Sequence, residues 1–448
     1  MSPSSSSKNG PITPRIIIHG GAGNISRSNL PPASWHAYRT SLLQVLHSAS
    51  QALSQPGATA LDVAVLAVAL LEDNPLFNAG KGAVFTRAGT NELEASIMVS
   101  NGYRKRGVGC MMLRRVKNPI KLAREMLVRG EEEGGGGGQG HCQLSGEYVE
   151  GLARGWGVKM VEPGYFWTRK RWEQHLKGLK EQNAEYPACY GSGVHETVPP
   201  PVEAPNGDPS WDGKEYLPQG TVGAVVLDSF GTVCVATSTG GMTNKLPGRI
   251  GDTPTLGTGF WAEEWFEEPA PSLPSIRMEY LAQGRHTPDP AAGLSVTDDL
   301  RAILLQCLPL NRSAPYTALP ALPTGYMEEE KPAKPHRIRH AVAISGTGNG
   351  DSFLKTAACR TAAAMSRFTL PNLSLASSVK RVAGSGGELQ LSAGDRWGST
   401  GEGEGGIIGV EVVGTEGKVV SDFNCGGMFR AWVDEEGRQR CMVFKEEY

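Results

Sequence analysis

The sequence predicts an α/β fold built of layers, with a β-sheet covered on both faces. Residues 221–239, TVGAVVLDSFGTVCVATST, contain two strands that are apolar on both faces, which is typical of a sheet packed on two sides. Residues 59–73, TALDVAVLAVALLED, have a helical pattern that is apolar almost all round, as expected for a helix buried between layers. A layered sandwich is therefore favoured over an exposed sheet.

The N-terminal half begins with a strand and two helices. Residues 15–23, RIIIHGGAG, are a β-branched run ending in glycines, which indicates a buried strand that enters a tight turn. Apolar residues recur at helical spacing in 34–53, and Thr59 precedes the second helix as an N-cap. Further strand patterns lie at 82–100 and 107–113, and a further helix pattern lies at 118–130.

Segments rich in glycine, proline and polar residues separate these elements. Residues 131–140, EEEGGGGGQG, predict a flexible loop, and residues 181–219 predict a linker that ends just before Thr221. Residues 309–337 and 373–405 are expected to be loop-like surface insertions. The rest of the second half comprises a helix pattern at 351–368 and strand patterns at 406–413 and 418–424.

The composition is that of a globular protein. Of the 448 residues, 39% are hydrophobic and 20% are charged, and the formal net charge is -2. The basic clusters at 103–107 and 168–172 are short and interleaved with apolar residues, so charge does not support a nucleic-acid or membrane-surface role. The longest apolar run, residues 61–71, is too short to span a bilayer.

The expected location is the cytoplasm. Residues 1–14 form a polar Ser/Pro tail without the apolar core of a signal peptide. The eight cysteines are scattered from Cys110 to Cys441 with no C-x-x-C pair and no zinc-site spacing, which indicates reduced thiols in a reducing compartment.

A hairpin places two threonines opposite each other. The loop SFG between the strands of 221–239 is typical of a three-residue turn in which Gly231 is left-handed. Counting outward from Phe230 pairs Thr221 with Thr239, at a distance where two hydroxyls can hydrogen-bond.

Thr221 is a candidate nucleophile. A threonine hydroxyl needs a base, and the residue's own free α-amine can serve if the chain is cut before it. Such an amine has a pKa of about 7.7–8.0, which leaves a useful neutral fraction near neutral pH. Gly220, without a Cβ atom, permits the close approach that self-cleavage requires. Taken alone, however, Gly-Thr is also an ordinary start for a strand.

Two loops supply candidate partners. In STGGMTNKLPGRIGD, Arg249 suits a carboxylate and Asp252 suits an ammonium group, as at the zwitterionic end of an amino acid; an exposed ion pair is the alternative. In ISGTGNGDSF, Thr347 and the Gly348 amide suit an oxyanion hole. A phosphate cradle lacks the Lys-Ser/Thr pair of a P-loop, and a helix-capping turn is a further alternative.

Two weaker candidates come from the N-terminal half. The Asn78 amide in LFNAGKGAVF is suited either to a substrate or to a turn. HGGAGN around His19 does not complete the G-x-G-x-x-G pattern of a dinucleotide site.

Together, IIIHGGAG, PLFNAGKGAVFT, GTVGAVVLD, ATSTGGMTNKLPGRIGD and SGTGNGD resemble the plant-type L-asparaginase/isoaspartyl peptidase family of N-terminal nucleophile hydrolases. The resemblance extends over residues 15–130, 142–176, 217–268, 339–366 and 405–432. It implies a four-layer αββα sandwich, in which a precursor cleaves itself between Gly220 and Thr221. The α chain, 1–220, and the β chain, 221–448, would form one domain, and two such heterodimers would associate.

The resemblance also implies roles for the candidate residues. Thr221 would be the nucleophile with Thr239 beside it, while Thr347 and Gly348 would hold the oxyanion. Asn78, the asparagine of the FNAG motif, would lie near the nucleophile. The residues that bind the substrate would be Arg249, Asp252, Gly348 and Gly350.

The implied reaction is hydrolysis of L-asparagine or of isoaspartyl dipeptides through an acyl-enzyme, with no cofactor. A structural sodium ion would be held by backbone oxygens of one loop. That set is Leu71, Glu72, Asn74, Phe77, Ala79 and Lys81.

The sequence departs from the family pattern at several positions, and alternative functions have to be compared with the one that the resemblance implies. FNCGGM with Cys425 stands where FNTEGM is usual, which leaves the preference between substrates open, and the glycine run and the insertions are additions. A glycosylasparaginase would usually have STNG in place of STGG, and threonine aspartases tend to lack the second threonine and the Asp of the GRxGD loop. A rival of another class is an uncleaved, inactive small-molecule-binding protein.

Overall fold

The computed structural model describes residues 11–181, 220–267, 337–369 and 371–448. The chain divides into two compact units, Met1–Phe266 with Arg339–Tyr448, and Glu267–Ile338. The elements below belong to the first unit, apart from the strand-end residues Glu267 and Ile338. The predicted tail up to residue 10, the predicted linker from 182 to 219 and the predicted insertion from 309 to 336 lie outside the described residues, and the division into α and β chains stays a prediction.

Twelve strands in the described residues form two sheets. The larger sheet has the order β12-β11-β1-β5-β6-β2-β3-β4, and the smaller has the order β10-β9-β8-β7. The strands are β1 (Arg15–Gly23), β2 (Leu93–Asn101), β3 (Arg104–Leu113), β4 (Gln143–Ser145), β5 (Val222–Leu227), β6 (Val233–Thr239), β7 (Phe260–Glu267), β8 (Ile338–Gly348), β9 (Gly405–Val413), β10 (Glu416–Phe423), β11 (Gly427–Val433) and β12 (Gln439–Met442).

The register of the β5–β6 hairpin confirms the one predicted from its turn. Val222 pairs with Ser238 and Leu227 pairs with Val233, so Thr221, one residue earlier, faces Thr239. Gly231 has a φ of 89°, the left-handed conformation that the three-residue turn requires. The strands are central in the larger sheet, because β1 pairs with β5 and β2 pairs with β6.

Helices cover both sheets. They are α1 (Pro32–Leu53), α2 (Ala60–Glu72), α3 (Pro119–Arg129), α4 (Gly146–Gly155), α5 (Arg169–Glu181), α6 (Gly350–Thr356), α7 (Ala358–Phe368), α8 (Leu375–Ala383) and α9 (Glu388–Leu391). Short 3-10 turns lie at Gly80–Gly82, Glu133–Gly137, Pro163–Phe166 and Gly394–Arg396.

The period-two alternation of the strands produces four layers. In β1, Ile16 and Ile18 pack in the core beneath α1 and α2, whereas Ile17 packs in the core between the two sheets. In β8, Ala343 joins the core between the sheets, and Ile344 packs against α7 and α8 on the far side. The order helix, sheet, sheet, helix confirms the αββα sandwich of the N-terminal nucleophile hydrolases.

The prediction of a loop-like insertion at 373–405 is wrong, because that region contains α8 and α9. Leu375, Val379 and Val382 recur at helical spacing and are buried against the smaller sheet, while Ser374 caps the helix by accepting from Ser377 N. The many Ser and Gly residues around this short apolar stripe obscure it in the sequence.

Two other segments differ from the prediction: the glycine run is more ordered than a flexible loop, and the helix at 351–368 is divided in two. The glycine run forms a turn in which Gly134, Gly135 and Gly136 have positive φ, and Trp156 Nε1 donates to Gly136 O at 3.0 Å. The predicted helix at 351–368 is interrupted by Ala357 at a φ of 46°, which separates α6 from α7.

Candidate active site

Thr221 lies at the entrance of β5, between the two sheets. The residue is 6% exposed. Its Oγ1 lies 2.9 Å from Thr253 Oγ1, and its main-chain oxygen accepts a hydrogen bond of 3.0 Å from Thr347 Oγ1. Side chains of the loop after β6 and of β8 therefore meet at the residue predicted to be the nucleophile.

Gly220 is packed too tightly for any side chain. A Cβ atom at this position would lie 2.5 Å from Gly21 Cα and 2.6 Å from Thr347 Oγ1. The first of these neighbours belongs to the HGGAG turn at the end of β1, and the second belongs to β8. The peptide before Thr221 thus lies where β1 and β8 converge, in agreement with the close approach expected of the glycine.

Thr239 faces Thr221, but the hydroxyl contacts differ from the expectation. The Thr239 Oγ1 accepts from Gly241 N at 3.0 Å, and the Thr221 hydroxyl is paired with Thr253. The expected hydrogen bond between the hydroxyls of Thr221 and Thr239 is therefore replaced by one to Thr253, because the loop that follows β6 returns across the strand ends.

Thr253 is a site residue that the sequence reasoning missed. It is 1% exposed. It directly follows Asp252 of the GRIGD motif, and this adjacency is the sequence feature that could have indicated a place in the site. Its main-chain oxygen accepts from Ser96 Oγ at 2.6 Å and from Thr237 Oγ1 at 3.4 Å. Strands β2 and β6 therefore hold Thr253 against the Thr221 hydroxyl.

Thr347 and Gly348 end β8 beside Thr221. Thr347 is fully buried, and its hydroxyl donates to the Thr221 carbonyl oxygen. The next turn begins α6, where the Asn349 side chain accepts from Ser352 N and caps the helix. The glycine-rich turn thus caps a helix and also contacts Thr221. The predicted helix-capping role and the predicted oxyanion hole are therefore compatible.

Arg249, Asp252 and Gly350 converge on one corner of the site. The Arg249 Nη2 lies 2.7 Å from Asp351 Oδ1. A Cβ atom at Gly350 would collide with Asp252 Oδ1 and would lie 3.0 Å from Arg249 Nη2. The start of α6 therefore approaches both charged groups closely, which only a glycine allows.

The charged groups at this corner have unused hydrogen-bonding capacity. Among the described residues, Arg249 Nε and Asp252 Oδ2 are buried without a hydrogen-bond partner. Burial raises the pKa of the Asp252 carboxyl to about 7, although the nearby Arg249 guanidinium acts in the opposite direction. One unsatisfied donor and one unsatisfied acceptor thus lie close together, as a zwitterion requires.

Two buried glutamates support the loop that carries Arg249 and Asp252. Glu92 Oε2 accepts from Gly248 N at 2.8 Å, and both Glu94 carboxylate oxygens accept from Gly251 N, at 3.2 and 3.3 Å. The Lys245 ammonium group donates to Glu92 O at 2.8 Å and lies 3.6 Å from Glu94 Oε1. The sequence reasoning missed these glutamates, because NELE reads as the start of an ordinary strand.

Asn78 connects two loops through its side-chain and main-chain hydrogen bonds. Its Nδ2 donates to Gly241 O at 2.7 Å, its Oδ1 accepts from Val84 N at 3.0 Å, and its main-chain oxygen accepts from Gly240 N at 3.0 Å. The residue therefore fixes the start of the loop that leaves Thr239, which is the structural use predicted as the alternative.

His19 bridges the two sheets beneath Thr221. Its Nε2 lies 2.7 Å from Ser345 Oγ, and both residues are fully buried. A Cβ atom at Gly223 of the neighbouring strand would collide with both atoms. Burial lowers the pKa of His19 to about 3, so the imidazole is neutral and structural.

The predicted sodium loop forms a turn after α2. Leu71 O accepts from Asn74 N, Asn74 O accepts from Phe77 N, and Ala79 O accepts from Gly82 N. A carbonyl oxygen has two lone pairs, so these hydrogen bonds leave capacity for an ion. No group of three His, Cys, Asp or Glu side chains within the described ranges is arranged as a metal site, and sodium binding by backbone oxygens stays a prediction.

The fold and the site geometry match a known family. Residues 12–266 match the model of the family described as asparaginase. The chain belongs to this family. It is therefore a hydrolase with the N-terminal nucleophile fold, and the family predicted from the five motifs is confirmed.

Similar proteins extend the match over most of the chain. A putative isoaspartyl peptidase/L-asparaginase of Dictyostelium discoideum is 38% identical over 259 residues, which are 56% of this chain and 70% of that protein. An isoaspartyl peptidase of Escherichia coli is 38% identical over 55% of this chain and 67% of its own length. An isoaspartyl peptidase of Salmonella typhimurium is 31% identical over 417 residues, 93% of this chain and 94% of that protein.

In the part of the chain that the structure describes, no helix has both the length and the apolar character needed to cross a membrane.

Proposed function

We propose that this protein is a self-cleaving threonine hydrolase that converts L-asparagine to L-aspartate and ammonia and hydrolyses β-aspartyl dipeptides. The observation that carries the proposal is the position of Thr221. Its hydroxyl and carbonyl groups contact Thr253 and Thr347, and Gly220 before it is packed against Gly21. The name of the Dictyostelium discoideum relative supports both substrates, and the names of the Escherichia coli and Salmonella typhimurium relatives support the isoaspartyl one.

The substrate's α-carboxylate is assigned to Arg249 and its α-ammonium group to Asp252. Both residues have a buried polar atom without a partner among the described residues, one a donor and one an acceptor. Gly350 packs closely against both side chains, since a Cβ atom there would collide with Asp252 Oδ1. The amino-acid end of asparagine and of a β-aspartyl dipeptide is the same, so this corner serves both substrates.

In the first reaction, the Thr221 hydroxyl attacks the carbonyl carbon of Gly220, and the peptide bond breaks as the hydroxyl proton passes to the freed Thr221 amine, which leaves an ester between the two residues. Water then hydrolyses this ester, so that the α chain ends at Gly220 and the β chain begins with the nucleophile. The neutral fraction of that amine takes the hydroxyl proton in every later turnover.

In the second reaction, the Thr221 hydroxyl attacks the substrate's side-chain amide carbon, and the Thr347 hydroxyl and Gly348 amide stabilise the oxyanion. The amine returns the proton to the leaving nitrogen, which departs as ammonia or as the second amino acid. Water then hydrolyses the ester and releases aspartate. Thr239, which faces Thr221 across the hairpin, and Asn78, which fixes the loop after it, complete the assigned site.

Intact-mass measurement tests the proposal. The wild-type protein is expected to separate into two fragments with Thr221 at a new N-terminus, and Thr221→Ala is expected to stay whole and inactive. The control is Thr232→Ala in the turn of the same hairpin, which should be cut and active. A Thr221→Ala protein that still released aspartate would disprove the mechanism, and a wild-type protein that stayed whole but bound aspartate would favour an uncleaved binding protein.

Arg249→Ala tests the substrate assignment separately. It should raise KM for β-aspartyl dipeptides and leave self-cleavage intact, because Arg249 is assigned to the substrate carboxylate and not to the cleaved bond. A parallel assay with asparagine, β-aspartyl dipeptides and N-glycosylated asparagine distinguishes the substrate preferences of the related enzymes.

The remaining assignments belong to the same proposal. Two αβ heterodimers associate, catalysis needs no cofactor, the turn after α2 holds a structural sodium ion, and the protein is cytoplasmic. Sedimentation of the cleaved protein tests the first of these. Melting temperatures in sodium and in tetramethylammonium salts of equal ionic strength test the third.

A further inference from the structure

The basic stretch TRKRW at the start of α5 has no part in the proposed reaction, yet one of its arginines is buried. Arg171 is 2% exposed. Its Nε donates to Gly82 O at 2.7 Å and its Nη2 donates to Leu76 O at 3.2 Å. The guanidinium group thus holds both sides of the turn that carries Asn78, so α5 is attached to one loop of the site.

One helical turn later, α5 is also attached to the other loop. His175 Nδ1 lies 2.5 Å from Asn244 Oδ1, and Asn244 Nδ2 donates to His175 O at 3.1 Å. An amide oxygen only accepts, so the imidazole carries its proton on Nδ1. Burial lowers the pKa of His175, which favours this neutral form. The Asn244 amide therefore makes two hydrogen bonds with His175. We call this pair of hydrogen bonds the α5 clasp.

Asn244 lies between Thr239 and Arg249 and changes the direction of the chain there. Its φ is 57°, a left-handed conformation that asparagine tolerates better than most residues. Its backbone N–H donates to Phe85 O at 2.9 Å. The position of the loop that leads to Arg249 is thus set by a left-handed turn and by contacts from residues before the predicted cleavage site.

We propose that His175 and Asn244 are positioning residues for substrate binding, because the α5 clasp sets the loop on which Arg249 meets the substrate carboxylate. The inference rests on the proposed function, in which Arg249 binds that carboxylate. Thr221 is hydrogen-bonded to Thr253 and Thr347 and not to either of these residues, so the clasp acts on substrate affinity and not on self-cleavage. It also joins the two chains that cleavage would create.

Three variants test the inference with a β-aspartyl dipeptide as substrate. Asn244→Gly keeps the left-handed turn accessible and removes both hydrogen bonds of the clasp. His175→Leu removes only the one from the ring. Each should raise KM, by roughly fivefold to tenfold for Asn244→Gly, with kcat within about twofold and an unchanged self-cleavage rate by intact mass. His175→Gln should restore a near-normal KM, because its amide N–H can donate to Asn244 Oδ1.

The matched control is Arg169→Ala, which removes an exposed ion pair with Glu173 on the same helix and should leave KM unchanged. An unchanged KM in both Asn244→Gly and His175→Leu would overturn the inference. So would an equal loss in His175→Leu and His175→Gln, or a fall in self-cleavage that matches the rise in KM. If Arg249→Ala alone raises KM, the proposed function survives and the clasp fails, whereas an active Thr221→Ala removes the proposed function itself.

Discussion

Replacement of Glu72 by Gln should stabilise the protein at alkaline pH and not at acid pH. Glu72 ends α2 and is fully buried. Its Oε1 accepts from Ile120 N at 3.0 Å at the start of α3, and its Oε2 is buried without a partner among the described residues. Burial raises the pKa of this carboxyl from 4.5 to about 8. In the folded protein, the Glu72 carboxyl is therefore mostly protonated below pH 8.

The sign and the size of the effect follow from linkage. The unfolded chain ionises near pH 4.5 and the folded chain near pH 8, so the folded state loses stability as pH rises through this window. The loss reaches about 4 kcal/mol at pH 8, because each unit of pKa difference corresponds to about 1.4 kcal/mol. Gln keeps an oxygen for Ile120 N and cannot ionise, so it removes this loss.

Urea unfolding at pH 5, 6.5 and 8 measures the effect, with cleavage confirmed by mass in every sample. The free energy of unfolding of Glu72→Gln should exceed that of the wild type by less than about 1 kcal/mol at pH 5 and by a few kcal/mol at pH 8. Glu147→Gln on the exposed face of α4 is the control and should follow the wild type. The reasoning is refuted if Glu72→Gln and the wild type show the same dependence on pH, or if the variant is the less stable protein at pH 8.

Three further predictions concern the site. The KM should rise as pH decreases below about 7, because the buried Asp252 takes up a proton and no longer attracts the substrate's ammonium group; a KM that is constant between pH 5 and 8 would contradict this. Gly220→Ala should block self-cleavage, since its Cβ would lie 2.5 Å from Gly21 Cα, and a two-fragment mass spectrum would contradict that reasoning. Thr253→Ala should lower kcat by roughly threefold to tenfold through loss of one hydrogen bond to the nucleophile, while Thr253→Ser should retain most activity in the same assay.

Much of the fold follows from local patterns. The apolar runs of β5 and β6 identify the two strands, and the three-residue turn with Gly231 specifies the hairpin register, because both signals act over a few residues. The same reasoning failed at α8, whose short apolar stripe among Ser and Gly residues is stabilised mainly by burial against the smaller sheet. The break at Ala357 likewise depends on distant contacts, since Cys359 N and Arg360 N donate to the Thr258 and Gly257 carbonyls.

The sequence by itself determined the family, the hairpin and the set of candidate residues, because glycine-rich motifs and apolar strand segments are formed by consecutive residues. Only the tertiary structure decided which groups touch. It paired the Thr221 hydroxyl with Thr253 instead of Thr239, and it placed Glu94 under the substrate loop and His175 on Asn244. These contacts join residues far apart in the chain, and no local spacing specifies them, because the packing of the two sheets and of α5 brings them together.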